Sequence, residues 1–296
     1  MASEDLRERA TSVRDLMAPC RLCPRDCQVD RIAGELGFCR TGASPIVSSF
    51  GPHFGEEAPL VGRHGSGTIF LTNCNLRCLF CQNCDVSQLG QGTAVTVERL
   101  AGMMLELQRQ GCHNINWVTP THQTAALVEA LAIARDGGLT VPIVYNCGGY
   151  ESVETLRLLE GIVDIYMPDA KYGDNATGER LSSVADYWDR CRHALAEMYR
   201  QVGDLQIDSR GVATRGLLVR HLVLPEDLAG TLIVMKYIAG LSANTYVNVM
   251  AQYRPQFHAH EVSELRRAVT VAEYEQAVQA AREAGLHRLD DRRIAK

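Results

Sequence analysis

The sequence predicts an α/β protein built on parallel strands. After residue 66, six apolar strand segments alternate with six amphipathic helices. The strand segments run out into polar clusters, the pattern of a fold whose chemistry gathers at the strands' C-terminal ends. The first, residues 68–71 behind Gly67, empties directly into Cys74, Cys78 and Cys81. Periodicity alone does not separate a curved partial barrel from an open doubly wound sheet.

The chain has 296 residues, 46% hydrophobic and 22% charged, which suits one large domain or a domain with a small appendage. A net charge of −5 gives no global argument for nucleic acid or an anionic membrane. The charged start holds no apolar core, so no signal peptide is expected, and no apolar run reaches membrane-spanning length. Eleven cysteines then point to metal ligands in a reducing cytoplasm rather than a disulfide framework.

In chain order, a helix is expected over residues 5–18, with Leu6, Val13, Leu16 and Met17 on its apolar side. Cys20, Cys23, Cys27 and Cys39 follow, a Cys-x2-Cys-x3-Cys-x11-Cys spacing able to close a metal site with no open position. It suits a second iron–sulfur cluster or a zinc ion, and the residue types do not choose. Gly34 and Gly37 fit the tight turns of such a knuckle. Residues 41–66, rich in Gly, Pro and Ser, read as an irregular connector. Within it, the stretch from His53 through Glu56 and Glu57 reads as a solvated acidic loop. The expected organisation is a cysteine-rich appendage and connector over 1–64 and a catalytic core over 65–296. Removing residues 1–40 is expected to spare the core's metal site.

In the core, the first helix runs from Thr96 as N-cap to Gln110, with Leu100, Met103, Met104 and Leu107 on one face and Gly111 as its stop. A strand over 114–118 ends in Thr119, Pro120, Thr121 and His122. The next helix carries Leu127, Val128, Leu131 and Ala134. A strand over 141–145 leads into Asn146, and a short helix with Val153, Leu156 and Leu159 stops at Gly161. A strand over 162–166 precedes Asp169 and Lys171. Beyond a loop lies a helix bearing Trp188, Cys191, Leu195 and Met198. The strand over 216–224 carries Arg220 and His221, and a helix with Leu228, Leu232 and Met235 follows it. The strand over 245–250 runs out into Tyr253 and Arg254. The last helix opens with the capping box Thr270–Glu273 and buries Tyr274, Ala277, Val278 and Ala281.

Cys74-x3-Cys78-x2-Cys81 can bring three thiolates round a soft metal centre. A structural zinc normally demands four protein ligands, whereas a cube held by three cysteines leaves one iron open for an exogenous ligand. Flanking Asn73, Asn75, Arg77 and Gln82 do not look like inert apolar packing. Cys84, if it also ligated, would make a closed electron-transfer or zinc centre instead. The polar residues after the other strands form a crown facing one mouth of the fold.

The stretch Cys74-Asn75-Leu76-Arg77-Cys78-Leu79-Phe80-Cys81, with the strand before it, resembles the cluster motif of the radical S-adenosylmethionine (SAM) superfamily. Together with Cys20-Arg21-Leu22-Cys23-Pro24-Arg25-Asp26-Cys27 and His53-Phe54-Gly55-Glu56-Glu57, it looks like the PflX-type branch related to pyruvate formate-lyase activating enzyme. Asp169-Ala170-Lys171 resembles the Asp-x-Lys segment of the activating enzymes. Thr119-Pro120-Thr121-His122 stands where many superfamily members carry a Gly-Gly-Glu segment. Cys84 stands where the resemblance expects an aromatic, and it is treated as a non-ligand.

The resemblance implies a partial (βα)6 TIM-like barrel and a [4Fe–4S] cluster on Cys74, Cys78 and Cys81. SAM would be held by Thr119, Thr121, Asn146, Asp169, Lys171 and Arg220, with Lys or Arg suited to its carboxylate and Asn or Asp to its ammonium and hydroxyls. The implied activity is oxidoreductase-like: reductive cleavage of SAM to methionine and a 5′-deoxyadenosyl radical, with a flavodoxin or ferredoxin as electron donor. A glycyl radical enzyme's glycine loop is the leading substrate; another protein, a peptide or a small molecule is the alternative. A non-enzymatic rival, an iron–sulfur electron carrier or metal sensor, would use the same cysteines without needing the crown.

Overall fold

The computed structural model describes residues 3–290. Helix α1 (Ser3–Asp15) precedes the cysteine-rich segment, strand β1 (Ile46–His53) and the single turn α2 (Ala58–Val61). Strand β2 (Ser66–Leu71) opens into the cysteine loop, followed by α3 (Cys84–Ser87), β3 (Thr93–Ala94) and α4 (Val97–Arg109). Then come β4 (Ile115–Val118), α5 (Thr124–Asp136), β5 (Ile143–Cys147) and α6 (Val153–Leu158). The chain continues through β6 (Ile165–Pro168), α7 (Asn175–Ser182), α8 (Tyr187–Val202) and β7 (Gln206–Ile207). It closes with β8 (Ala213–Leu222), α9 (Thr231–Leu241), β9 (Tyr246–Met250) and α10 (Val271–Glu283).

Strands β2, β4, β5, β6, β8 and β9 pair in parallel, strictly in that order. A doubly wound sheet reverses its order at a switch point. Here nothing reverses, so crossovers of one hand lay the helices on one face and the fold is a partial TIM-like barrel. The capping signals hold where the sequence placed them, but α1 ends at Asp15 before Leu16 and Met17, and α9 starts only at Thr231, which leaves Leu228 outside it and Leu232 exposed. Thr96 caps α4 by accepting from the Arg99 N–H, and Thr270 and Glu273 form the expected capping box of α10.

The two faces of the sheet have separate cores. Ile69, Ile115, Trp117, Ile143, Tyr145, Tyr166, Val219 and Val247 join the helices in the large one. Val144, Ile165, Met167 and Leu218 alternate with them and pack with Leu60 of α2 in a small inner one. The strand period of two places Asn116, Asn146, Arg220 and Asn248 on that same inner face.

Several expectations need correcting. The connector is not irregular throughout: β1 pairs antiparallel with β2, and β3 with β1. Its Gly, Ser and Pro residues hide a strand that covers the edge β2 would otherwise expose. Pro142 has no N–H to give a ladder, so β5 starts at Ile143 and extends to Cys147, past the expected end. β6 likewise begins later, at Ile165, and α7 occupies what read as a loop. Glu56 and Glu57 are buried rather than solvated.

Candidate active site

The cysteine loop is fixed from all sides. Asn73, at φ 66°, turns the chain off β2, a left-handed conformation that asparagine tolerates better than most residues. Its side chain donates to the Thr41 hydroxyl at 3.1 Å. Within the loop, Leu76 and Phe80 are buried, and Phe80 packs edge-on against Tyr172 and Tyr253. The Arg77 and Leu79 N–H groups donate to the Ser182 and Leu181 carbonyls of α7 at 3.1 and 2.9 Å. The Ser182 hydroxyl lies 3.0 Å from Cys78 Sγ, and the Ser87 hydroxyl 3.0 Å from Cys81 Sγ. Burial pushes the Cys74 thiol up to about 12, helped by the neighbouring Cys78 and Cys81. Burial also raises Cys78, which Lys171 opposes.

The crown is a single ion-pair network. Asp169, just past β6, accepts from Arg220 Nε at 2.7 Å on one oxygen and from Lys171 Nζ at 2.7 Å on the other. Arg220 Nη2 donates to Asn146 Oδ1 at 2.7 Å, and Glu56 stands 3.7 Å from Nη1. These side chains are under a fifth exposed, Asp169 at 17% and both Lys171 and Arg220 at 18%. Burial pushes the Asp169 carboxyl up, but the two cations more than offset it and hold it below its ordinary value. The Tyr187 hydroxyl donates between the Gly148 and Asp169 carbonyls and accepts from the Lys171 N–H, pinning this turn. A Cβ on Gly149 would sit 2.3 Å from the Asp169 carbonyl oxygen, so only glycine admits this approach.

The structure therefore joins Asn146, Asp169, Lys171 and Arg220 in one hydrogen-bonded network, and the Thr121 side chain bonds outside it. Thr119 lies at the end of β4 with φ 62°, strained for a β-branched residue, and its N–H donates to the Asn146 carbonyl. Thr121 instead donates to Glu151 at 2.7 Å. His122 Nε2 donates to the Thr72 carbonyl at 2.7 Å, and Gln123 donates to the same carbonyl. His221 is held by Ala170 and Thr231, and Tyr253 by the Leu265 carbonyl, so both serve the scaffold.

Sequence reasoning missed several residues. Glu57 accepts from Asn248 Nδ2 at 2.8 Å on the inner face. Both polar atoms of the Asn116 amide are buried there without a hydrogen-bond partner, a group suited to a ligand or a water. A lone Asn within the apolar β4 segment was its signal.

Glu151 carries a prediction of its own. Burial pushes its carboxyl up from 4.5 to about 7, against hydrogen bonds from Thr121, Tyr145 and Cys147. A raised carboxyl favours the folded state below pH 4.5, and that contribution is lost as pH rises through about 7. Glu151→Gln removes the cost of ionising the buried acid, about 3 kcal/mol when fully developed. Denaturation curves should show the variant gaining on the parent chain between pH 5 and pH 8. A pH-independent difference would refute the assignment.

The amino-terminal cysteines are not a detached appendage. Arg25 stacks on Phe38 at 3.6 Å and Arg77 of the cysteine loop stacks on the same ring at 4.4 Å. Arg25 Nε donates to the Asn75 carbonyl at 2.9 Å and Arg77 Nη2 to the Phe38 carbonyl at 2.6 Å. Removing residues 1–40 would strip these contacts from the loop.

Comparison with known proteins fits this geometry. The family model of the radical SAM superfamily matches residues 68–205. Uncharacterized protein MJ0674 of Methanocaldococcus jannaschii is 32% identical over 289 residues, spanning 94% of this chain and 78% of that protein. Uncharacterized protein MJ0808 of the same organism is 27% identical over 158 residues, 47% of this chain and 46% of that one. The FeFe-hydrogenase maturase HydG from Carboxydothermus hydrogenoformans superposes with a TM-score of 0.52 at 12% identity. That match covers 73% of this chain and 50% of the maturase, and it speaks for the fold alone. The chain belongs to the radical SAM superfamily. It is a radical SAM enzyme, its cofactors are a [4Fe–4S] cluster and SAM, and its chemistry is reductive cleavage of SAM with electrons from a reductant. Among the described residues no helix is long and apolar enough to cross a membrane.

The donor set suits such a cluster. Cys74, Cys78 and Cys81 offer three soft thiolate donors from one loop, and a cube held by three cysteines keeps one iron open for an exogenous ligand.

Proposed function

We propose that Cys74, Cys78 and Cys81 hold the SAM-binding cluster, with Cys84 outside it, and that Asn146, Asp169, Lys171 and Arg220 face SAM. Thr119 lies beside them through its contact with Asn146. The observation that carries this reading is the Lys171–Asp169–Arg220–Asn146 network, whose Lys171 lies close enough to oppose the rise of the Cys78 thiol. When bound, the reduced cluster supplies the electron that cleaves SAM to methionine and a hydrogen-abstracting 5′-deoxyadenosyl radical.

The chain's own residues do the rest. Asp169 holds the Lys171 ammonium and the Arg220 guanidinium in fixed positions, so either can meet a carboxylate without first being ordered. Asn146 and Asn116 offer amide groups to a ribose or an amine. Tyr187 keeps the Asp169–Lys171 turn from relaxing. Leu76, Phe80 and Tyr172 wall the cysteine loop with buried apolar surface that excludes water.

The finer reading places the chain in the PflX-type branch, acting on the glycine loop of a glycyl radical protein with a flavodoxin or ferredoxin as donor. Its support is the Asp169-Ala170-Lys171 segment and its position in the network. The test is incubation of the reconstituted chain with SAM and dithionite, then with a candidate glycyl radical protein. Formation of 5′-deoxyadenosine and a glycyl radical signal are the expected results. SAM cleavage without that signal would redirect the search to another protein, a peptide or a small molecule. No 5′-deoxyadenosine at all would leave the electron-carrier or metal-sensor reading.

A further inference from the structure

Cys20, Cys23, Cys27 and Cys39 line one small pocket together with Arg25, Arg31 and His122. Arg31 is almost fully buried, at 2% exposure, yet among the described residues neither it nor Arg25 has a carboxylate ion-pair partner. Arg31 Nη2 is spent on the Gly42 and His122 carbonyls, and Nη1 lies 3.9 Å from Cys20 Sγ. Arg31 Nε and Arg25 Nη2 are buried with no hydrogen-bond partner. Burying a cation without a counter-charge is strongly unfavourable, and four neutral thiols supply none. A metal-bound set of four thiolates does.

Two further facts choose the group. Arg31 Nε and Arg25 Nη2 still need acceptors, and a zinc ion brings none beyond the four thiolates it would itself occupy. A cube spaces its thiolates over four irons and adds sulfides at its edges, which are acceptors for guanidinium N–H groups. The backbone is shaped to fit: Phe38 N–H already points to Cys27 Sγ at 3.5 Å, and a Cβ on Gly37 would lie 3.0 Å from that sulfur.

We propose that Cys20, Cys23, Cys27 and Cys39 hold a second, fully cysteine-ligated [4Fe–4S] cluster, flanked by the Arg25 and Arg31 guanidiniums. It has no open iron for SAM. Positive charge and N–H donors beside a cube favour its reduced, more negative state and raise its potential. The site stands apart from the substrate reading above, and Phe38, between Cys27 and Cys39 in sequence, packs it against the Arg77 side of the SAM-cluster loop.

The test begins with the full chain reconstituted with iron and sulfide while zinc competes. About eight irons and about eight sulfides per chain, two cubes' worth, are expected. About four irons with one zinc, or about four irons alone, would overturn the proposal. Electron paramagnetic resonance of the reduced chain should resolve two species, of which SAM perturbs one. A single species, or two that both respond to SAM, would also overturn it. Replacing Cys74, Cys78 and Cys81 together with Ser should leave the SAM-insensitive species. If that variant does not fold, the two-species titration of the intact chain decides. Arg31→Gln should shift the midpoint potential of the SAM-insensitive species downward, with Arg31→Lys recovering part of the shift; equal potentials in all three chains would refute the role given to Arg31.

Discussion

Cys78→Ala is expected to abolish the SAM-responsive cluster and all 5′-deoxyadenosine formation, while Cys84→Ala keeps both. Cys78 is the buried middle thiol of the loop, fixed by the Ser182 hydroxyl and by the Leu181 carbonyl that holds its neighbour Leu79. Removing it leaves a cube with two unsupported corners where it needs one. Cys84 begins α3, beyond the turn that the Cys81 N–H closes onto the Cys78 carbonyl. The measurement is iron content and the SAM-dependent change in the resonance signal of each variant, beside product formation. If Cys84→Ala loses the SAM-responsive species as fully as Cys78→Ala does, the loop is a closed four-cysteine centre and the proposed SAM site fails.

How much of this was legible in the chain follows from the range of the interactions involved. The six strands and their helices are written in local periodicity, so their order and the cysteine loop after the first strand could be read directly. The crown was legible as a set of strand-end positions but not as a network. That Arg220 should span Asp169, Asn146 and Glu56 depends on three segments meeting across the sheet. Buried Glu57 meets Asn248 on β9 and the charge of Arg220 on β8, and nothing near Glu57 in sequence signals either. β1 was hidden because Gly51 and Pro52 carry turn signals, although edge pairing tolerates both. The docking of the amino-terminal cysteines rests on one ring, Phe38, between two arginines far apart in the chain. Cysteine spacing defines which thiols share a site and says nothing of what that site leans on.

Asp169→Asn should be the most damaging single change in the crown. It preserves shape and one acceptor but removes the charge that holds two cations in a part-buried pocket. Lys171 and Arg220 are then like charges, offset by Glu57 and by Glu56, which stands 3.7 Å from Arg220. Breaking a buried pair by removing one partner costs about 3–5 kcal/mol, and the residual exposure here lowers that to about 2–3 kcal/mol. The pH dependence is specific. Asp169 has a depressed folded-state value, so its contribution is fully present above its ordinary value of 3.8 and is lost only as pH falls through the lower, folded one. The stability gap between the parent chain and Asp169→Asn should therefore stay constant from pH 8 to pH 5 in chemical denaturation. A gap that narrows already over that range would mean the cations do not hold Asp169 ionised. SAM affinity, measured on the reconstituted protein, should fall by about tenfold or more, equivalent to about 1.4 kcal/mol, as Lys171 and Arg220 lose their fixed positions. Should stability drop while SAM binds as before, the network is a strut of the barrel mouth, and the SAM contacts must be sought at Thr119, Asn116 and the backbone beside them.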